Sequence, residues 1–432
     1  MLWAINNNPS VMAGRIAENE KVHLSSQETT LMKKATFAVA VLAASTSSAW
    51  AQSSVTLYGI VDAAARYTTN ANPGVAQKQL IPGGMSQSRL GVNVTEDLGG
   101  GLKALVNMEH RLNSDTGAAS SGTDFWRQAW VGLQSNQLGQ IRLGRQYNIL
   151  FDLYTSTFAS FRYSPYIEAY KPEIGMSMTA RQDNMVKYLA QVGNFYAEVQ
   201  VSAGEGQSGA AAAQPNKTIG GLVRYSDGKF GAGGAYLQAT EQTGKKIKAM
   251  VLGASYTEGP LYVHASWGEN KFENPFTLLN QTSAGAFAAS AAAGSPANIA
   301  LTTRGAYTSG ILGANVFNTD SADIKKRTMI MFGATYQLTP QLNIGANAWL
   351  TEQTHYGTVQ NLAAPFANAL GFTTNANTKS KADFFAVVLD YAFSKRTDAY
   401  LEMDYTKLKG EVLFLNGAGK RGGAMVGLRH RF

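Results

Sequence analysis

The sequence predicts an all-β fold, a sixteen-stranded antiparallel β-barrel that crosses a membrane. Three observations carry this reading. Apolar and polar residues alternate with period two along nearly the whole chain after residue 52, the mark of strands with two different faces. Short turns and long polar connections take turns along the chain, as in a barrel with one tight rim and one looped rim. Past the amino-terminal region, no window is apolar for the roughly 20 residues that a spanning helix needs, although 45% of residues are hydrophobic.

The first segment is an address. Met32-Lys33-Lys34 opens an apolar run from Ala35 to Ala44, which leads to Ala49-Trp50-Ala51. A positive start, a short apolar stretch and an A-x-A site describe a secretory signal peptide over 32–51, cut after Ala51. Residues 1–31 are polar and precede the signal, as expected of a start codon placed too early. The barrel domain is expected over 52–432, with Gln52 its first residue.

The strands follow in order. Val55, Leu57, Val61, Ala63, Ala65 and Tyr67 share one face, with Thr56, Tyr58, Asp62 and Arg66 on the other. Phe195, Ala197, Val199 and Val201 alternate with Tyr196, Glu198, Gln200 and Ser202, and Leu401, Met403 and Tyr405 alternate with Tyr400, Glu402, Asp404 and Thr406. Strands are expected at 54–69, 86–97, 102–113, 123–134, 139–147, 181–192, 194–203, 218–227, 229–240, 247–257, 260–271, 326–338, 341–355, 381–393, 396–409 and 421–432. Short turns such as Ser226-Asp227-Gly228-Lys229 and Thr257-Glu258-Gly259-Pro260 join them at one rim. Longer connections are expected at about 114–122, 148–180, 205–217, 272–325, 356–380 and 410–420. Barrels of this size leave an aqueous channel, whereas eight strands are filled by side chains.

Composition narrows the function. There is no cysteine, so no disulfide, thiolate metal site or cysteine nucleophile exists. The net charge is +8, with basic residues spread singly rather than clustered, which speaks for a lined pore and against a nucleic-acid patch. The five histidines lack metal-ligand spacing. Gly204-Glu205-Gly206-Gln207-Ser208-Gly209 fits a dinucleotide fingerprint but precedes an alanine-rich loop instead of a helix. No catalytic residue, metal site or cofactor is expected, and the chain does not read as an enzyme.

Several segments resemble the Gram-negative general porins of the neisserial and burkholderial kind. They are Ser54-Val55-Thr56-Leu57-Tyr58-Gly59-Ile60-Val61-Asp62, Ser88-Arg89-Leu90-Gly91, Thr95-Glu96-Asp97-Leu98-Gly99-Gly100-Gly101-Leu102, Arg127-Gln128-Ala129-Trp130-Val131-Gly132-Leu133 and Arg142-Leu143-Gly144-Arg145-Gln146. Phe432, with Val426, Leu428 and His430 at alternate positions before it, resembles the signal read by the barrel-insertion machinery. The resemblance covers 52–432. It implies an outer-membrane homotrimer, each barrel with its own pore, surrounded by lipid and lipopolysaccharide. It also implies that the third loop, 148–180, folds inward and sets acidic groups against basic groups on the wall. Here that loop is rich in Tyr, Phe and Ser, and its acidic residues are Asp152, Glu168 and Glu173.

Strand parity nominates the basic wall. Outward Leu90, Val92 and Val94 place Arg89 in the lumen, and outward Trp126 and Trp130 place Arg127 there. Ile141 and Leu143 do the same for Arg142, and Val61, Ala63 and Ala65 for Arg66. Arg181 opens the strand after the loop and matches an arginine of the family. The expected constriction therefore comprises Arg66, Arg89, Arg127, Arg142 and Arg181 opposite Asp152, Glu168 and Glu173. Tyr67, Trp126, Trp130, Tyr256, Phe385, Tyr391, Phe393 and Tyr405 are candidates for aromatic girdles. The expected activity is passive diffusion of small hydrophilic solutes and ions, with weak anion preference. A substrate-selective channel and a non-transporting barrel such as an adhesin remain the alternatives.

Overall fold

The computed structural model describes residues 53–72, 75–118, 125–169, 172–178, 180–203, 217–240, 246–273, 324–355, 379–409 and 420–432. The expected signal peptide, the segment 1–31, Gln52, the glycine motif at 204–209 and nearly all of the long connection 272–325 lie outside these residues.

Among the described residues, seventeen strands form one antiparallel sheet. They are β1 (Ser54–Asn72), β2 (Val75–Ile81), β3 (Arg89–Gly99), β4 (Leu102–Arg111), β5 (Trp126–Ser135), β6 (Gly139–Tyr147), β7 (Arg181–Val192), β8 (Phe195–Ser202), β9 (Lys217–Ser226), β10 (Phe230–Thr240), β11 (Lys246–Glu258), β12 (Leu261–Phe272), β13 (Ile324–Gln337), β14 (Leu342–His355), β15 (Lys379–Ala392), β16 (Thr397–Lys409) and β17 (Lys420–Arg431). Two helices, α1 (Ile149–Ser156) and α2 (Pro172–Met176), lie between β6 and β7. The sheet closes where β17 pairs with β1, in a register that sets Ala63 opposite Leu428. Phe432 extends the closure, exchanging two backbone hydrogen bonds of 3.1 Å with Gly59. Its ring lies over Gly59, where any β-carbon would collide with it.

The barrel has sixteen staves, because β2 and β3 follow one another along the same edge of β1. Thr68 pairs with Gln77 of β2, and Ser54 to Ile60 pair with Thr95 to Arg89 of β3. The single strand expected over 86–97 is thus the lower part of an interrupted stave, and 75–81 supplies the upper part. Between the two parts, residues 82–88 leave the wall and are buried in the lumen. Asp62 explains how they stay there. Its carboxylate accepts from the backbone N–H of Gly84 (3.2 Å) and Ser86 (2.7 Å) and from the Tyr400 hydroxyl (2.6 Å). The backbone groups of Asp62 itself, which lack a strand partner at the break, bond to the Ser88 hydroxyl (both 3.0 Å). Buried backbone groups need such partners. Gly83, at φ +111°, makes the turn inward.

The outer face carries an apolar band: Val55, Leu57, Leu90, Val131, Leu143, Val199, Leu252, Ile330, Val387 and Val426 all stand exposed. In lipid these side chains meet hydrocarbon, and closure leaves no unpaired strand edge at that depth. Of the expected girdle residues, Tyr67, Trp126, Tyr256, Phe385, Tyr391, Phe393 and Tyr405 are exposed on this face.

Trp130 departs from the expectation. It stands in register with Asn107, which is buried on the lumen side, and the Arg142 guanidinium lies 4.5 Å from its ring centre. Trp130 therefore points inward. Trp126 still points outward, because the ladder shifts register between Glu109 and His110, where a bulge accommodates Arg127. Simple alternation fails across the bulge, yet it leaves Arg127 inside.

The apolar core sits inside the barrel. The segment 148–180, expected as a loop, holds α1 and α2. Asn148 caps α1 by accepting from the Phe151 N–H at 3.0 Å. From there the chain runs along the inner wall from β8 to β14. Ile149, Leu153, Tyr154, Phe158 and Phe161 are buried in one cluster with Leu237, Val251 and Trp349 of the wall. The wall makes room with glycines. A β-carbon on Gly220, Gly233, Gly253, Gly268 or Gly345 would lie 2.6–2.7 Å from an atom of Ile149, Leu153, Phe158, Tyr154 or Phe161, respectively. Five large side chains at ~1.5–3 kcal/mol each give a burial term on the order of 10 kcal/mol, enough to hold the loop against the wall.

Candidate functional site

The loop and four strands bring charged groups together in the lumen. Arg89 of β3, Arg111 of β4, Arg127 of β5 and Arg181 of β7 converge from the wall. Arg127 feels the charges of Arg111 and Arg181, and Arg111 that of Arg89. Glu168, on the loop, faces them: its carboxylate lies 3.4 Å from Arg111. Glu109 of β4 lies 3.7 Å from Arg89 and accepts from the Tyr58 hydroxyl at 3.2 Å. Arg181 donates to the Tyr147 hydroxyl at 2.8 Å, with its guanidinium 4.4 Å from that ring's centre. Tyr147 stacks on Phe151 of α1 at 4.4 Å, and Phe151 meets Tyr166. Gln87, in the inserted segment, accepts from Arg111 at 3.1 Å. Stacking and bidentate geometry hold guanidinium groups better than they hold ammonium groups.

The nominated residues divide into those that meet here and those that do not. Arg89, Arg127, Arg181 and Glu168 meet. Arg142 stands apart, on Trp130, with Gln140 accepting at 3.1 Å. Asp152 sits on α1 and pairs with Lys187 of β7, which also lies 3.2 Å from Glu198. Arg66 is held by Glu402 (3.2 Å) and Asp404 (2.6 Å) of β16. Glu173, at the start of α2, is buried and accepts from the Trp349 indole N–H at 2.9 Å and from the Ser160 hydroxyl. That places it between the loop and the wall, where it pins α2 to β14.

Sequence reasoning missed Arg111, Glu109, Gln87, Tyr147 and Lys187. Arg111 and Glu109 were accessible to it: Met108 points outward on β4, so its neighbours at odd positions point inward. Gln87 was not, because nothing local marks the break in the second stave.

Toward the short-turn rim, a recess of about 230 Å³ opens beneath the loop, lined by Arg162, Arg224 and Lys229 with hydroxyls from Thr155, Ser255 and Thr257. Among the described residues no group of His, Asp and Glu is arranged to hold a metal ion.

A closed transmembrane barrel with an inserted loop and charged groups facing one another across its lumen has the architecture of a channel. The chain belongs to the Gram-negative porin family, whose model matches residues 38–411. It is 36% identical over 255 residues to the outer membrane porin protein 32 of Delftia acidovorans, a match covering 56% of this chain and 71% of that one. Its fold is similar to that of the anion-selective porin from Comamonas acidovorans, with a TM-score of 0.62 and 24% identity over 88% of this chain and all of the other. It is also similar to the trimer form of OmpT of Vibrio cholerae, with a TM-score of 0.55 and 14% identity over 88% of this chain and 99% of the other. The protein is an outer-membrane porin, and family and fold are those of a channel rather than an enzyme.

Proposed function

We propose that this porin passes small hydrophilic solutes and ions by passive diffusion, with a weak preference for anions, as a homotrimer with one pore per barrel. The observation that carries the preference is the charge count at the constriction: four guanidinium groups face two carboxylates. An anion crossing there is attracted and a cation repelled, and low-dielectric walls strengthen both effects. Arg162 and Arg224 in the recess below continue the basic path. The trimer rests on the likeness to a trimeric neighbour.

In this reading 32–51 is removed on export and the remaining chain forms the barrel. Phe432, docked on Gly59, is the residue read by the insertion machinery, and lipid and lipopolysaccharide cover the outer face. Arg89, Arg127 and Arg181 act at the filter with Glu168. Arg66, Arg142, Asp152 and Glu173 act around it, by setting the wall and the loop.

Single-channel recording in a planar bilayer under a salt gradient tests this. The expected result is ohmic steps in groups of three with a reversal potential on the anion side. A folded trimer that does not conduct would end the diffusion reading, and a cation-side potential would end the preference.

A further inference from the structure

The outer face of the looped rim carries lysines in an arrangement that a sheet by itself disfavours. On β15–β17, Lys381 stands directly opposite Lys409, and Lys407 opposite Lys420. Residues opposite one another in an antiparallel ladder share a face, so each pair sets two ammonium groups side by side, which destabilises the sheet. This face is the outer one: Met403 and Tyr405 precede Lys407 and Lys409 on it, while Thr406, Leu408 and Arg421 are buried on the other.

At the looped end of β12 and β13 the protein supplies its own counter-charge. Glu269 lies 2.9 Å from Lys271 and 3.6 Å from Lys326, which are themselves opposite one another. Lys381 has Glu352 at 3.1 Å. Lys407, Lys409 and Lys420 are exposed, and among the described residues none of them has a carboxylate within ion-pair distance. Asp383 stands in register with Lys407 but forms no ion pair with it. At the looped end of β6 the outward cation is Arg145, and Asp183 neutralises it.

We infer that Lys407, Lys409 and Lys420, with Lys381 beside them, form a docking patch for the phosphate group of an anionic membrane lipid. The patch lies where the lipid headgroups begin, one strand repeat beyond the exposed Tyr405, whose ring marks the interface. An ammonium is a compact donor suited to a phosphate, and basic residues at this depth attract anionic lipids. The missing counter-charge then comes from the membrane. The inference rests on the outer-membrane orientation given above, with the long connections facing outward, and not on the channel's selectivity.

The test uses the intact trimer in phosphatidylcholine bilayers with spin-labelled lipids. Wild type is expected to retain labelled phosphatidylglycerol several-fold over labelled phosphatidylcholine. The variant K407Q/K409Q/K420Q should lose that preference, while K395Q, at the opposite rim, should keep it. The triple variant should unfold no earlier than wild type and conduct as wild type does, so a failed lipid preference and a failed channel reading are separately visible. The inference is overturned if wild type shows no preference, or if the triple variant keeps it. It is equally overturned if millimolar inorganic phosphate abolishes the preference, since the patch then binds the free ion. Dissociation of the triple variant into monomers would overturn it in favour of a subunit contact.

Discussion

Replacing Arg127 with alanine isolates one charge of the proposed filter. Its Nε has no hydrogen-bond partner, and among the described residues no carboxylate pairs with it. Truncation therefore orphans no acid, and the barrel should fold with its usual stability. A unit charge about 6 Å from a passing ion contributes ~0.7 kcal/mol in water, reduced to ~0.4 kcal/mol by salt near 0.1 M. The anion loses an attraction and the cation loses a repulsion, so the two changes act together on the permeability ratio. The sum, ~0.8 kcal/mol, corresponds to about a four-fold drop in anion-over-cation permeability, and a lumen drier than bulk water enlarges it. Reversal potentials in a potassium chloride gradient read this directly. Glu168→Gln is the opposite perturbation, because it removes the carboxylate 3.4 Å from Arg111. It should raise anion permeability by a similar factor. If Arg127→Ala leaves the ratio unchanged, or if both variants shift it the same way, the constriction does not filter by charge.

Two further outcomes follow from the loop and the turns. Gly253→Val would place a β-carbon 2.6 Å from the Phe158 ring and 2.7 Å from Ser266, far inside the ordinary contact distance of about 3.5–4.0 Å. Overpacking of about 1–3 kcal/mol is expected to push the loop off the wall, so the single-channel step changes while circular dichroism still shows the barrel; an unchanged step would mean that the glycines do not seat the loop. At the β9–β10 turn, Asp227 accepts from the backbone N–H of Lys229 (2.9 Å) and Phe230 (2.6 Å), and these bonds hold its carboxyl below the usual carboxylate range. The turn is thus fully bonded above the ordinary aspartate value and loosens only as pH falls through the depressed one. Amide exchange at Lys229 and Phe230 should rise only below that value, and protection lost already near the ordinary aspartate value would show that the bonds do not form.

Much of this was legible in the chain, because a strand in a membrane barrel has one lipid face and one wet face. That alternation is local, so Val55 and Leu57, or Met403 and Tyr405, reveal their facing without knowledge of any partner. The wall arginines were readable for the same reason: a guanidinium among outward leucines and valines has only the lumen to enter. What stayed hidden depends on registers and on residues far apart in sequence. The bulge at Arg127 turns Trp130 inward, and it exists only in the pairing of β4 with β5. The break in the second stave needs Asp62, Tyr400 and Arg429 from three places in the chain, with Arg429 donating to Ser86 at 2.7 Å. Glu168 faces Arg111 while Glu173 sits beneath Trp349, although both are acids of one loop; which way each points is decided by the glycines on five different strands. Alternation, turn chemistry and charge are properties of neighbours in sequence, and they specified the barrel. The meeting of Glu168 with the wall arginines depends on where an apolar loop comes to rest against a distant wall, which only the closed barrel determines.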